Sequence, residues 1–135
     1  MLKKTFEYED YNGNKRKEDA YFNLSYVELQ RILNSKKGGL EVALNEMINT
    51  EDMPGLFAFI EKIILSSYGR KLEDGGFEKS EELSKKFSFT IPYDLIFEEI
   101  TSSEENMTRF LMQVIPAEQA AKLKAELSKK TTETK

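Results

Sequence analysis

The amino-acid sequence predicts an α+β fold, in which an N-terminal antiparallel β-hairpin precedes a mainly α-helical bundle of about five to seven helices. Two stretches with alternating apolar residues flank Asn12-Gly13, which is a strong hairpin signal. From Ser25 onward the apolar spacing becomes helical. Roughly a quarter of the chain is Leu, Ile, Val or Phe, above the ~20% below which disorder is expected. At 135 residues we expect one folded domain.

The turn of the predicted hairpin, residues 3–24, follows from the parity of its apolar positions. These are Phe6 and Tyr8 in the first strand and Ala20 and Phe22 in the second. A two-residue loop of Asn12 and Gly13 would place the two sets on opposite faces, because side chains alternate along a strand. A three-residue loop, Tyr11-Asn12-Gly13, places them on one face and puts Gly13 in the left-handed position of a G1 bulge. We predict this bulged turn.

Helices are predicted over residues 25–116. Ser25 and Glu28 form an S-x-x-E capping box, which marks a helix start. The apolar face of this first helix is predicted to contain Tyr26, Leu29 and Leu33. Gly38-Gly39 should end it. A second amphipathic helix is predicted from the spacing of Leu40, Ala43, Leu44, Met47 and Ile48.

The most apolar segment predicts a central helix. Pro54 suits its first turn, and Gly69 is placed to end it as a left-handed cap. Its large apolar residues are Leu56, Phe57, Phe59, Ile60, Ile63, Ile64, Leu65 and Tyr68. Because they cover most of the helix circumference, we expect Phe59, Ile60, Ile63 and Ile64 to be among the most buried residues.

After this helix, the sequence of residues 70–79 predicts either a loop or a short pair of strands that turn at Asp74-Gly75-Gly76. Ser80 should then open a short helix with Leu83 and Phe87 facing inward. Residues 89–91 are predicted to be extended, because Pro92 disfavours helix at the preceding residue.

Two more helices complete the predicted core. The first carries Tyr93, Ile96, Phe97 and Ile100. The second, capped by Ser102 or Ser103, carries Met107, Phe110, Leu111, Val114 and Ile115. Pro116 follows. We therefore expect a single globular domain over residues 1–116 and a solvated helix with a frayed tail over residues 117–135.

Composition excludes several function classes. The chain contains neither Cys nor His, so disulfides, zinc fingers, thiol nucleophiles and Ser-His-Asp triads are ruled out. A net charge of -4 disfavours nucleic acid and anionic lipid as partners. The longest apolar block, residues 56–65, is far shorter than the ~20 residues of a membrane span, and no signal peptide is apparent. We expect a cytoplasmic protein.

Two charged motifs are candidate sites. Asp94 and Glu98, one helical turn apart, could bind a divalent cation, but a solvated helix surface is favoured. Lys15-Arg16-Lys17 beside Tyr8 and Tyr21 could stack bases, although acidic residues surround it.

Neither glycine-containing motif supports a ligand site. Glu73-Asp74-Gly75-Gly76 lacks calcium-loop spacing, and Gly38-Gly39 lacks a phosphate-binding pattern. The sequence therefore predicts no catalytic, cofactor-binding or metal-binding residue. It leaves the partner-binding residues unidentified and indicates a cytoplasmic binding or assembly protein.

Several segments together resemble a known family. The early ones are Tyr8-Glu9-Asp10-Tyr11-Asn12-Gly13, Tyr21-Phe22-Asn23-Leu24-Ser25 with Glu28-Leu29, and Gly38-Gly39-Leu40. The later ones are Ile64-Leu65-Ser66-Ser67-Tyr68-Gly69, Asp74-Gly75, Phe77, Lys79-Ser80, Tyr93, Phe97 and Ile115-Pro116. In order and spacing, residues 3–116 resemble the small tail assembly chaperones of long-tailed bacteriophages and prophages of Gram-positive bacteria.

The resemblance implies a protein of the host bacterial cytoplasm that binds the tape measure protein, keeps it soluble and promotes tail tube assembly. It implies no catalysis and no cofactor. A further implied partner is the tail tube protein, through a C-terminally extended form. Self-association of the chain is an additional option that does not follow from the resemblance. The alternative is a structural tail completion or connector protein that is retained in the virion, and an enzyme ranks third.

Overall fold

The hairpin and the helices assemble around one antiparallel sheet. The computed structural model describes residues 1–33, 53–122 and 124–125. Its elements are β1 (Leu2–Glu9), β2 (Lys15–Phe22), α1 (Tyr26–Leu33), α2 (Met53–Ser67), β3 (Tyr68–Lys71), β4 (Phe77–Glu78), α3 (Glu81–Phe87), α4 (Ile91–Thr101) and α5 (Glu104–Val114). The four strands lie in the order β1-β2-β3-β4, which confirms the predicted α+β class. The helix predicted around residues 40–48 lies outside the described residues.

The bulged turn of the first hairpin is confirmed. The Asp10 N–H donates to the Asn14 carbonyl at 2.8 Å and the Gly13 N–H donates to the Asp10 carbonyl at 3.0 Å. Gly13 has a φ of 84°, the left-handed conformation that glycine adopts without strain. The register pairs Phe6 with Glu18, so the two apolar sets share a face. On that face Phe6, Ala20 and Phe22 are buried and Tyr8 is half-buried against the core.

The predicted helix cap at Gly69 is wrong. Helix α2 ends at Ser67, whose buried hydroxyl donates to the Ile64 carbonyl at 2.9 Å. Gly69 instead lies in β3, outside the positive-φ region. A Cβ at this position would lie 2.5 Å from Cε2 of Phe77 and 2.7 Å from the Glu78 carbonyl oxygen. Glycine therefore permits the close approach of β4.

The two-stranded alternative for residues 70–79 is the one observed. Strands β3 and β4 pair antiparallel, and their turn repeats the geometry of the first hairpin. The Leu72 N–H donates to the Gly76 carbonyl at 2.8 Å, and Gly75 has a φ of 92°. Both hairpins thus close through a three-residue loop with a left-handed glycine at its third position.

We expect Gly69→Ala to lower the free energy of unfolding by about 1–3 kcal/mol, the usual cost of forcing an extra methyl group into a packed site. Urea denaturation measures this loss. Gly76→Ala is the matched control, because its Cβ would meet only the movable Asp74 and Leu72 side chains, at 3.0 and 3.4 Å. Equal stability of the two variants would contradict the close approach at Gly69.

Helix α1 begins as predicted, and of its predicted face Leu29 is buried but Tyr26 is not. The burial of Leu33 lies outside what the structure describes. In the capping box, the Ser25 N–H donates to Glu28 Oε1 at 2.9 Å and the Glu28 N–H donates to Ser25 Oγ at 3.1 Å. Leu29 and Ile32 are buried, whereas Tyr26 is 57% exposed. The prediction for Tyr26 is wrong, because the buried face is centred between Leu29 and Ile32 and Tyr26 lies at its border.

The expectation that residues 89–91 are extended is also wrong. Only Thr90 has extended backbone angles, and its hydroxyl accepts the Tyr93 N–H at 3.3 Å as the N-cap of α4. Ile91 is already helical. Pro92 fits the first turn of α4 because no backbone donor is needed there. Serine caps begin the neighbouring helices, Ser80 for α3 and Ser103 for α5.

The core lies between the sheet and the helices, as the apolar periodicity predicted. Phe59, Ile60, Ile63 and Ile64 are all buried. Buried residues of the last two helices are Tyr93, Ile96, Ile100, Met107, Phe110, Leu111, Val114 and Ile115. Residues 117–122 are helical, and Ala120 packs partly against the core. The division into a domain over residues 1–116 and a dispensable tail stays a prediction.

Candidate partner-binding site

Lys79, two residues before α3, joins three separate parts of the chain. Its Nζ donates to Glu28 Oε1 on α1 at 2.6 Å and to the Ser66 carbonyl near the end of α2 at 2.9 Å. It also donates to the carbonyl of Asn23, which precedes α1. We call these four residues the Lys79 junction. An ammonium group beside the last carbonyls of α2 is further favoured by the helix dipole.

Glu28 has two roles in this junction, as the capping-box acceptor and as the partner of Lys79. Partial burial alone would raise the pKa of its carboxyl. The hydrogen bonds from Lys79 and from the Ser25 N–H outweigh that effect, so the pKa of Glu28 lies below its ordinary value of 4.5. The carboxylate therefore stays ionised and paired at neutral pH.

Backbone hydrogen bonds hold the start of α1 in place beside the junction. The Asn23 N–H donates to the Ser67 carbonyl at 2.8 Å, and the Leu24 N–H donates to the Val114 carbonyl at 2.7 Å. The β2–α1 connection is thus attached to the ends of α2 and α5. Because Lys79 lies next to the first turn of α3, the junction fixes three helices relative to one another.

A groove of about 820 Å³ lies between these three helices. We call it the helical groove. Its apolar lining includes Ile32 of α1 and the half-buried Leu65 of α2. Its charged lining includes the exposed side chains of Arg31, Lys62, Lys85 and Glu81. Within the described part of the chain, none of its three exposed cations forms a salt bridge.

The groove is therefore locally cationic, although the whole chain carries a net charge of -4. Its volume lies within the ~300–1,000 Å³ range of ligand pockets. Apolar side chains with a cationic surround can accept an apolar side chain from a partner that carries acidic residues nearby.

Aromatic and polar contacts fix the position of α3 against the rest of the fold. Phe87 stacks on Tyr68 with ring centroids 4.0 Å apart and makes an edge contact with Phe22 at 5.7 Å. The hydroxyl of Ser84, which also lines the groove, donates to the Leu65 carbonyl at 2.8 Å. These contacts hold α3, one side of the groove, against α2 and the sheet.

A second polar contact joins α2 to α4. The Tyr93 hydroxyl donates to Glu61 Oε1 at 2.6 Å. Burial, the hydrogen bond and the Glu61 charge all raise the pKa of Tyr93, so its hydroxyl remains a donor at physiological pH. This contact holds α2, which lines the groove, against α4.

Acidic motifs weighed from the sequence fall on exposed surface. Asp94 and Glu98 are both exposed on α4. Among residues 1–33, 53–122 and 124–125, no group of three or more carboxylates is placed to hold a metal ion. The segment from Glu73 to Gly76 forms the β3–β4 turn, and Gly38-Gly39 lies outside the described residues.

The basic segment of residues 15–17 is largely neutralised by its neighbours. Arg16 Nε lies 2.8 Å from Asp10 Oδ2, and Lys17 Nζ lies 3.9 Å from Glu7 Oε1. The hydrogen bond from Arg16 lowers the pKa of the Asp10 carboxyl. These pairs leave little positive charge to attract a phosphate backbone.

The Lys79 junction unites segments that are distant in the sequence. Asn23, Glu28, Ser66 and Lys79 all lie in segments that carry the family resemblance. Their mutual contact could not be inferred from the sequence. The sequence analysis missed the cations of the groove, because single Arg and Lys residues carry no signal in a chain that is 33% charged.

Comparison with known proteins gives a match to a family model. A family model described as phage tail assembly chaperone matches residues 1–135. Neither a curated protein nor a solved structure matches the chain. Within the described residues, none of the helices has the length and apolar character needed to cross a membrane.

Proposed function

The chain belongs to the phage tail assembly chaperone family, and from this premise we propose that it binds the tape measure protein. By covering apolar parts of the tape measure protein, the chain keeps that protein soluble in the host bacterial cytoplasm and promotes assembly of the tail tube. The action is non-covalent binding and requires no catalytic residue. The helical groove is the observation that supports this proposal.

We place the tape measure protein in the helical groove as an amphipathic helix. Such helices bind grooves through apolar side chains spaced at i, i+3, i+4 and i+7. Leu65 and Ile32 would contact the apolar anchors. Arg31, Lys62 and Lys85 would lie near acidic residues on the flanks of the bound helix. A segment with apolar anchors and acidic flanks is therefore the expected ligand.

Affinity should come mainly from the apolar anchors. A few buried residues usually carry most of the binding energy, whereas exposed charges mainly raise the association rate. Moderate salt should therefore slow association while weakening the complex only slightly. Calorimetry with fragments of the tape measure protein should show a negative heat-capacity change from apolar burial.

Two variants test the groove. We expect Leu65→Asp to abolish binding, because it introduces a charge among the apolar contacts. We expect Lys62→Glu/Lys85→Glu to weaken binding about tenfold, since it places acidic residues beside an acidic ligand. The second variant alters exposed side chains only, so it should fold normally. Titration with tape measure fragments measures both effects.

Lys15→Glu/Lys122→Glu is the matched control. It makes the same change in net charge at exposed positions outside the groove and should bind as the wild type does. Co-expression with the wild type should raise the soluble yield of the tape measure protein. If the tape measure protein stays insoluble on co-expression and none of its fragments binds, the proposal fails. Retention of the chain in purified virions would then favour the structural tail component.

A further inference from the structure

Strand β1 is an eight-residue strand at one edge of the sheet. The hydrogen bond from Asp10 to Asn14 makes these residues a bonded pair. Bonded pairs alternate along an antiparallel ladder, so the even-numbered residues of β1 bond to β2. The N–H and C=O groups of Lys3, Thr5 and Glu7 therefore point away from the sheet. Across the described parts of the chain, no hydrogen bond reaches this outer edge.

Charges are distributed unevenly along this edge. Lys3 and Lys4 lie near the start of β1, and Glu7 and Glu9 lie near its end. Lys3, Thr5, Glu7 and Glu9 are exposed on one face, whereas Phe6 is buried on the other. A strand that is basic at one end and acidic at the other is complementary in charge to a second copy of itself that runs antiparallel. Long exposed edges are common sites of strand pairing between chains.

We propose that two copies of this chain pair antiparallel through their β1 edges, with Thr5 on the two-fold axis. Lys3 then lies opposite Glu7 of the second copy, and symmetry makes this pair twice. On the other face Leu2 lies opposite Tyr8 of the second copy, and both are half-buried against the core. The result is one continuous eight-stranded sheet.

Other registers are less favourable. Parallel in-register pairing would place Lys3 beside Lys3 and Glu7 beside Glu7, and like charges directly opposite are destabilising. An antiparallel shift that centres Glu7 on the axis would oppose two Glu7 side chains. A shift that centres Phe6 would pair Lys3 with Glu9 of the second copy and leave Glu7 opposite Thr5. The charges thus select the antiparallel orientation, and charge reversal at Glu7 distinguishes the two registers. The proposed dimer does not require binding of the tape measure protein.

A proline at the axis tests the backbone contact. The Thr5 N–H points outward, so Thr5→Pro should remove the two symmetric Thr5–Thr5 hydrogen bonds between copies while leaving the β1–β2 ladder intact. Thr5→Val is the matched control, because both variants lose the hydroxyl that donates to Asp19 Oδ1 at 2.7 Å. In sedimentation equilibrium we expect wild type and Thr5→Val to dimerise reversibly. Thr5→Pro should weaken the dimer about tenfold or more.

Charge reversal tests the register. Lys3→Glu and Glu7→Lys should each be monomeric alone, because every copy then opposes like charges across the axis. An equimolar mixture of the two should form a heterodimer, in which both pairs are again complementary. Glu105→Lys makes the same charge change at an exposed position outside β1 and should dimerise normally. A wild type that is monomeric at all concentrations, or a dimer unaffected by these changes, would overturn the proposal.

Discussion

Ile63→Ala is expected to lower the free energy of unfolding by about 2–5 kcal/mol, the range for removing a large apolar side chain from a packed core. Ile63 is fully buried near the middle of α2. Helices, sheet and aromatic side chains pack around α2, so the structure cannot close over the cavity left by the missing atoms. Chemical denaturation followed by circular dichroism measures the loss.

Leu95→Ala provides the comparison. Leu95 is on α4 and 37% exposed, so its truncation also shortens an aliphatic side chain in a helix but leaves no enclosed cavity. It should cost less than about 1 kcal/mol. If Ile63→Ala lowered the free energy of unfolding by less than about 1 kcal/mol, α2 would lie at a surface rather than in the core.

Lys79→Met should have the second largest effect, a loss of about 2–4 kcal/mol in unfolding free energy. Methionine keeps most of the side-chain length but removes all three donated hydrogen bonds. The Glu28 carboxylate and the carbonyls of Asn23 and Ser66 are then left without their shared donor. Hydrogen bonds to charged groups contribute about 1.5–3 kcal/mol each, and partial exposure to water offsets part of the loss.

Lys86→Met is the matched control, because Lys86 forms an exposed pair with Glu82 at 3.5 Å. The Lys86→Met variant should lose less than about 0.5 kcal/mol of unfolding free energy. The difference between wild type and Lys79→Met should also depend on pH. Because the folded pKa of Glu28 is lowered, its contribution is present above pH 4.5 and disappears as pH falls through the folded pKa. Equal losses for the two lysines would refute the junction.

Local chemistry explains where the sequence analysis succeeded. The parity of Phe6, Tyr8, Ala20 and Phe22 permitted only a loop that keeps them on one face. The capping box of Ser25 and Glu28 acts over a few residues, so its hydrogen bonds follow from the sequence. The apolar periodicity of α2, α4 and α5 identified their buried faces, because burial against a single core imposes that periodicity.

Gly69, Tyr26 and Ile91 show where local chemistry was insufficient. A glycine after an apolar helix commonly caps it, but here β4 approaches so closely that Gly69 is required in a strand. Nothing near Tyr26 in the sequence reports that α1 turns Ile32, rather than Tyr26, toward the core beside Leu29. Pro92 disfavours helix at Ile91 in isolation, whereas the Thr90 cap at the start of α4 makes that position helical.

The sequence by itself determined the hairpin and its turn, the helix starts and most of the core, and it carried the family resemblance. Each of these depends on residues close together in the chain or on their periodicity. Only the tertiary structure decided that Lys79 contacts Glu28, that Arg31, Lys62 and Lys85 share one groove, and that β1 is an edge strand of the sheet formed by the described residues. These features depend on distances between residues far apart in the chain, which packing of the whole fold determines.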